Sequence, residues 1–355
     1  MAEEQTDVPL APLTTLRLGG PADRLIRTES REELIELVRS ADAAGEPVLV
    51  LAGGSNVVIA DRGFAGTVIQ VATSGIDSRV TDDGRVEMTA EAGEPWDEFV
   101  ACTIGDEAAG VECLSGIPGS CGATPIQNVG AYGQEVSSTI TSVEVLERAT
   151  GEVREMPAAE CGFGYRTSRF KSNDEFVVLS VTFLLDPSPE SEPVAYQQLA
   201  DALGIDPGMR APLPAVRETV LELRRGKSMV IDTEDPDSVS AGSFFTNPVL
   251  SEVEMRDLER RATELLGPDT PPPSWPTTDG KFKTSAAWLI ERSGFRRGYG
   301  DGPAGLSQSH TLAVVNRGGA STAELVAFAR EIANGVRATF GVSLVPEPVF
   351  IGHKW

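Results

Sequence analysis

A chain of 355 residues can bury a large core and divide into two or three domains, and no apolar run in it reaches the length of a membrane span. Its formal net charge of −23 argues against nucleic-acid or anionic-membrane partners, while local basic clusters (Arg224, Arg225 and Lys227; Lys281 and Lys283; Arg166, Arg169 and Lys171) leave room for small anions. Four cysteines without a C-x-x-C pair and only two histidines, His310 and His353, argue against a metal site, a redox dithiol or a Ser-His-Asp triad.

The opening stretch is acidic and lacks a basic-then-apolar signal, so a cytoplasmic protein is expected. Leu25-Ile26 reads as a short strand. Ser30 and Glu33 form a capping box before Leu34, Ile35, Leu37 and Val38, a helical stripe that ends near Gly45. The apolar run Val48 to Leu51 then predicts a buried strand, making the opening a βαβ unit. It discharges into Gly53-Gly54-Ser55-Asn56, the kind of glycine turn at a strand end where α/β proteins hold phosphates. The turn lacks the dinucleotide G-x-G-x-x-G spacing, and Val57 spoils a nucleophile elbow.

Thr67 to Val71 is a further strand, and Val80 and Val86 flank the hairpin signal Asp82-Asp83-Gly84. Pro95 suits the start of a helix carrying Trp96, Phe99 and Val100. Ser115 to Gly133 follows, with glycines at 116, 119, 122, 130 and 133; it cannot make a helix or long strand, but it can bring backbone N–H groups close to an anion. An ordinary surface loop is the plain alternative. Strands are expected around Val143–Val145 and Val153, joined by Thr150-Gly151. The alternation of Val177, Leu179, Val181, Phe183 and Leu185 marks one face of a sheet.

A proline-rich loop, Asp186 to Pro193, leads to Tyr196 and helices, the last of them ending at Arg224-Arg225-Gly226-Lys227-Ser228. Leu221 stands where a P-loop needs its first glycine, which excludes that motif. Composition resets near Ile231, where a domain boundary is placed. Ser240 to Pro248 reads as a small-residue turn with two phenylalanines able to exclude water. Ser251 and Glu254 cap a charged helix, Thr284 to Ser293 is helical, and Thr311 to Asn316 is a strand. Ser321 and Glu324 box a helix burying Leu325, Phe328, Ile332 and Val336. Glu347, fixed between two prolines near apolar strands, suits a carboxylate of perturbed pKa or a solvated turn residue.

Thr14–Gly20, Gly53–Asn56, Gly116–Ser120 with Gln127–Gly133, Tyr165-Arg166, Gly242–Pro248 and Pro346-Glu347-Pro348, in this order and spacing, resemble UDP-N-acetylenolpyruvoylglucosamine reductases, in the form with a tyrosine loop over the substrate. The resemblance spans essentially the whole chain. It implies an α+β protein: a vanillyl-alcohol-oxidase-type FAD-binding fold of two α/β subdomains (residues 1–72 and 73–230) and a substrate-binding domain (231–355) whose final segment returns Glu347. It further implies non-covalent FAD, NADPH as reductant, a UDP-sugar substrate and a monomer, with no nucleic acid or membrane as partner.

On this resemblance the FAD contacts are Gly53, Gly54, Ser55 and Asn56 on the first turn and Ser115, Gly116, Ile117, Pro118, Gly119, Ser120 and Gly122 on the loop. Ala123, Gln127, Asn128, Gly130 and Tyr132 continue them. Arg166 would hold charge developing on the substrate, Ser243 would protonate the α-carbon, and Glu347 would be protonated, or share a proton, beside the enolate. Tyr165, Tyr196, Lys227, Asn247, Lys283 and His310 would contact substrate. Two departures stand out: Trp275 replaces a tyrosine and His310 a glutamine of some relatives. Read from residues alone, Tyr165-Arg166 is equally a surface turn and Ser243 a helix-start serine. A related flavin oxidase or dehydrogenase, or a non-catalytic nucleotide-sugar-binding protein, are the competing functions.

Overall fold

Helix α1 (Arg31–Ala44) begins where the Ser30 hydroxyl accepts the Glu33 N–H at 3.3 Å and ends at Gly45, which is left-handed at φ 66°. The Glu33 carboxylate reaches back past this cap and accepts from the Thr28 hydroxyl at 2.9 Å. The computed structural model describes residues 3–355. The helix joins the strands Pro21–Thr28 and Val48–Leu51, which both run parallel to Phe64–Val71 and flank it. Both strands and the helix of the expected βαβ unit are present, but a later strand inserts between the two strands. Parallel strands need a crossover of this kind, because their like ends lie on one side. Glu3–Pro9 pairs antiparallel on the outside of Pro21–Thr28.

Leu34 and Val38 on α1 are fully buried, packed with Ile69 and Val71 and also with Leu146, Val177 and Leu179 of a second sheet. Each such side chain stabilises by about 1.5–3 kcal/mol on leaving water. The second sheet is antiparallel, in the order Glu152–Pro157, Ile140–Glu147, Phe176–Pro187, Val86–Glu91, Ile76–Val80. Along Phe176–Pro187 the alternate residues Val177 to Leu185 are buried, as their period of two requires. Helix α2 (Trp96–Gly105) lays Trp96 and Phe99 on Phe183, with ring centroids 4.7–5.8 Å apart. Helices α3 (Gln197–Leu203) and α4 (Leu213–Arg225) share a core of Val194, Leu199, Val216 and Val220 that also takes in Cys113. These elements form one compact unit: the strand ending at Pro9, then Pro21–Gly54 and Gly63–Val230.

A second unit gathers Leu10–Gly20, Ser55–Arg62 and Ile231–Trp355. The sequence reading put residues 10–20 and 55–62 in a 72-residue N-terminal subdomain; they fold instead with the C-terminal residues. The strand Val57–Ile59 pairs in parallel with Val349–Ile351. Asp61 caps helix α7 (Thr322–Phe340), accepting the N–H of Thr322 at 2.6 Å and of Ala323 at 2.9 Å, while the Thr322 hydroxyl donates to the Ile59 carbonyl. Leu16 and Leu18 enter a core with Phe244, Leu289, Val314 and Ile332.

Helix α5 (Glu252–Leu266) and α7 both open with reciprocal capping boxes, at Ser251/Glu254 and Ser321/Glu324. Helix α6 (Ala286–Arg292) starts two residues later than the sequence suggests, because Thr284 belongs to the strand Phe282–Thr284. Ser240–Ser243, expected as part of a turn, is a strand paired antiparallel with Ala313–Asn316. Phe328 is only half-buried, its ring 6.0 Å from that of Tyr299. Among the described residues no helix is long and apolar enough to cross a membrane.

Candidate active site

In the first unit the two glycine turns meet. A Cβ on Gly53 would stand 2.8 Å from the Gly119 Cα, an approach only glycine permits. Part of the donor set along the loop is already spent. The Gly116 N–H goes to the Asp97 carboxylate at 2.5 Å, Cys121 N–H to the Glu94 carbonyl and Gly122 N–H to the Ala92 carbonyl. Burial pushes the Asp97 carboxyl up, but the Arg217 fork (2.7 and 2.9 Å) and the Gly116 N–H outweigh it and hold it below the usual carboxylate range. The Gly116 N–H is therefore held by a carboxylate within the chain. The N–H groups of Gly53, Gly54, Ile117, Gly119 and Ser120 donate to no acceptor among the described residues, and the buried Ser120 Oγ has no partner either. The orphaned Ser120 Oγ, beside N–H groups that the glycine turns leave approachable, fits a pyrophosphate at this place.

Beyond the loop, Ala123 gives its N–H to the Ser120 carbonyl at 3.0 Å. Gln127 is half-buried and Asn128 buried. The Asn128 carboxamide is committed within the chain: Nδ2 donates to Glu135 at 2.9 Å and to the Gly164 carbonyl at 3.1 Å, and Oδ1 accepts the Ser137 N–H. Arg166, on a left-handed backbone at φ 52°, donates to the Asn128 carbonyl at 3.3 Å and to the Gly130 carbonyl, and lies over the Tyr165 ring at 5.4 Å. Strained backbone of this kind concentrates at functional sites.

A third group in this unit is Tyr132, Tyr196 and Lys227. The tyrosine rings meet edge to face at 5.5 Å, Lys227 sits over Tyr132 at 5.5 Å, and its Nζ donates to Gln198 at 2.8 Å. Tyr196 is 46% exposed. Burial, with the neighbouring Arg224 charge, lowers the Lys227 pKa; burial raises that of Tyr132. The sequence singled out Arg224 only as part of a basic cluster. It is 8% exposed, gives Nη2 to the Met229 carbonyl at 2.7 Å and leaves Nε buried without a partner. Glu112, which the sequence reading passed over, is buried and accepts N–H bonds from Gly110, Gln134 and Glu192, the last fixing the proline-rich approach to Tyr196.

The second unit holds Ser55, Asn56, Ser243, Asn247, Lys283, His310 and Glu347. Asn56 is engaged with the Glu347 segment: its Nδ2 donates to the Glu347 carbonyl at 3.4 Å and its own carbonyl accepts the Val349 N–H at 2.9 Å. The Glu347 N–H donates to the Phe244 carbonyl at 2.8 Å, and Thr246 N–H to the Val345 carbonyl at 3.0 Å. Those bonds set Glu347 beside the chain that carries Ser243. Phe244 and Phe245 are buried in the core and ring-packed with Trp355 at 6.2 and 5.8 Å, so they anchor this strand end from behind. Asn247 Oδ1 accepts the Ala286 N–H at the start of α6, and Lys283 stands in register with Val249 and the exposed Trp275. His310 gives its N–H to Ser307 Oγ at 3.2 Å, and Ser307 in turn donates to Asp237 at 2.8 Å. No group of three potential metal ligands occurs among the described residues.

Residues 22–157 match the model of an FAD binding domain, and residues 235–351 match that of the C-terminal domain of UDP-N-acetylenolpyruvoylglucosamine reductase. The chain is 56% identical to the UDP-N-acetylenolpyruvoylglucosamine reductase of Thermobifida fusca over 98% of its own length and 97% of the relative's. It is also 56% identical to that of Streptomyces avermitilis, over 99% and 95% of the two lengths. A solved reductase of this name from Thermus caldophilus shares the fold, with a TM-score of 0.64 at 24% identity over 99% of both chains. Similarity of this depth along nearly the entire sequence shows that the chain belongs to the UDP-N-acetylenolpyruvoylglucosamine reductase family.

Proposed function

We propose that this protein reduces the enolpyruvyl group of UDP-N-acetylglucosamine enolpyruvate to give UDP-N-acetylmuramate for peptidoglycan precursors, with FAD as cofactor and NADPH as reductant. The observation that carries this reading is the 56% identity to a reductase of that name over 98% of the chain. The unmet donors of Gly53, Gly54, Ile117, Gly119 and Ser120 support the cofactor, whose pyrophosphate they would hold. When bound, FAD takes two electrons from NADPH and supplies them to the substrate as hydride.

The net change adds a hydride at the β-carbon of the enoate and a proton at the α-carbon. Hydride addition moves negative charge onto the α-carbon and carboxylate. Arg166, its fork fixed by two carbonyls, stabilises that charge. Ser243 gives its hydroxyl proton to the α-carbon; a serine is a weak acid, but an enolate carbon is a strong enough base to take it. Glu347 holds a proton beside the enolate. Tyr165, Tyr196, Lys227, Asn247, Lys283 and His310 bind the UDP-sugar. The same reading makes the protein a cytoplasmic monomer, for which a net charge of −23 favours solubility.

The cofactor link is non-covalent in this reading. Cys113 and Cys121 are buried, and burial, with Glu112 near the first and Glu94 near the second, pushes both thiols up. Neither supplies a thiolate at neutral pH. Purified protein is expected to be yellow, to bleach with NADPH and to regain colour with the UDP-sugar. Acid precipitation should release all flavin to the supernatant; a yellow pellet, or no response to NADPH, overturns this reading.

Tyr196 offers a narrower test. Its ring is already braced by Tyr132, so Tyr196→Phe removes only the hydroxyl. UDP-sugar affinity should fall about 3–10-fold, the worth of one hydrogen bond, while bleaching by NADPH stays unchanged. Equal losses in both measurements would mean that Tyr196 supports the fold and does not read substrate.

A further inference from the structure

Two strained residues, Asn128 (φ 49°) and Arg166 (φ 52°), meet at one carboxylate. Glu135 Oε2 accepts from Asn128 Nδ2 at 2.9 Å, and its Oε1 faces Arg166 Nη1 at 3.7 Å. Its place is set by a tight hairpin: Gly130–Ala131 pairs with Gln134–Glu135, Glu135 opposite Gly130, through Tyr132 and Gly133, both at positive φ. A turn with two positive φ values suits the right-handed twist of a hairpin. The same hairpin supplies the Gly130 carbonyl that Arg166 binds, and a Cβ on Gly130 would stand 2.7 Å from Glu135 Cγ and 3.0 Å from Arg166 Nη1. Gly130 therefore keeps the acid and the guanidinium close together.

We propose that Glu135 is a positioning residue for Arg166, a role that rests on the reading of Arg166 as the stabiliser of developing charge. A guanidinium on a long side chain has many rotamers, and it stabilises a transition state well only if it is fixed beforehand. Two backbone carbonyls fix one edge of the fork. Glu135 adds an ionic hold at 3.7 Å, long enough not to consume the fork in a bidentate pair. Through Asn128 Nδ2 it also steadies the turn whose carbonyl Arg166 uses. No proton or bond changes hands at Glu135.

The test is a double-mutant cycle in the full-length flavoprotein. Glu135→Gln keeps the shape and removes the charge. It should lower kcat about tenfold, short of the roughly 10² that a misplacement of about 1 Å costs, with KM for the UDP-sugar within about twofold. Flavin content and thermal midpoint should stay near wild type, and Glu135→Asp should recover part of the loss. Because both residues act through one guanidinium, Glu135→Gln with Arg166→Lys should be no slower than Arg166→Lys alone. An unchanged kcat, or losses that multiply, overturns the proposal while leaving the role of Arg166 standing. Wild-type turnover in Arg166→Lys overturns both. If Glu135→Gln loses flavin, Glu135→Asp carries the same cycle, since its shorter stem alone loosens the hold.

Discussion

Ser243→Ala should bleach with NADPH at nearly the wild-type rate, yet its colour should return with the UDP-sugar about 10²–10⁴-fold more slowly, the usual loss on removing a general acid. The substitution removes one oxygen from a half-buried position whose place is set by main-chain pairing with Ala313 and by the buried Phe244 that follows. The fold has no reason to change. Gly242, at φ 72°, has nothing within 4 Å of where a Cβ would sit, so the approach to Ser243 is open on that side. The bond from Glu347 N–H to the Phe244 carbonyl keeps the Glu347 backbone adjacent and intact in the variant. Cysteine at this position should restore part of the rate, because a thiol also donates a proton. Normal return of colour in the alanine variant would make Ser243 structural and put Glu347 first in line as donor.

Much of the first unit is legible in sequence because local signals there agree with tertiary ones. Ser30 and Gly45 bound α1, and the period-two run from Val177 to Leu185 buries the face it predicts. Helices α5 and α7 are likewise announced by Ser251/Glu254 and Ser321/Glu324, whose reciprocal bonds are local by nature. Pairing across long separations is a different matter. Val57–Ile59 is an apolar triplet that any sheet would accept, and nothing near it says that its partner is Val349–Ile351. The strand Ser240–Ser243 is hidden for another reason: serine, alanine and glycine carry no apolar alternation, and a register shift interrupts its ladder.

The site follows the same division. Glycine content marks Gly53–Asn56 and Ser115–Gly133 as turns able to bring N–H groups to an anion, but the close approach of Gly53 to Gly119 is a tertiary contact that it does not announce. Which N–H groups remain open does not follow from spacing. Asp97, held by Arg217 from far along the chain, takes the Gly116 donor, and in sequence it is one acid in the first turn of a helix. Glu112 and Glu135 are masked in the same way, because a single charged residue reads as a solvated face until its partners are known, and the cluster around Arg224 does not reveal that this one member is buried.

Arg166→Lys should lower kcat by about 10²–10³-fold, the cost of losing one pre-organised donor aimed at developing charge, and change KM for the UDP-sugar far less. Lysine preserves the charge, so any attraction that is only Coulombic survives. What it lacks is the planar fork, with which Arg166 binds the carbonyls of Asn128 and Gly130 and takes one orientation above Tyr165. An ammonium can satisfy one such carbonyl or swing toward substrate, but it is not held in place while doing so. The left-handed backbone at φ 52° strains arginine and lysine alike, so the comparison isolates the head group. Bleaching by NADPH, which needs no charge stabilised on the enoate, should proceed at the wild-type rate. A raised KM with unchanged kcat would instead mean that Arg166 binds substrate and transition state equally well, and the charge developing on the enoate would need another partner.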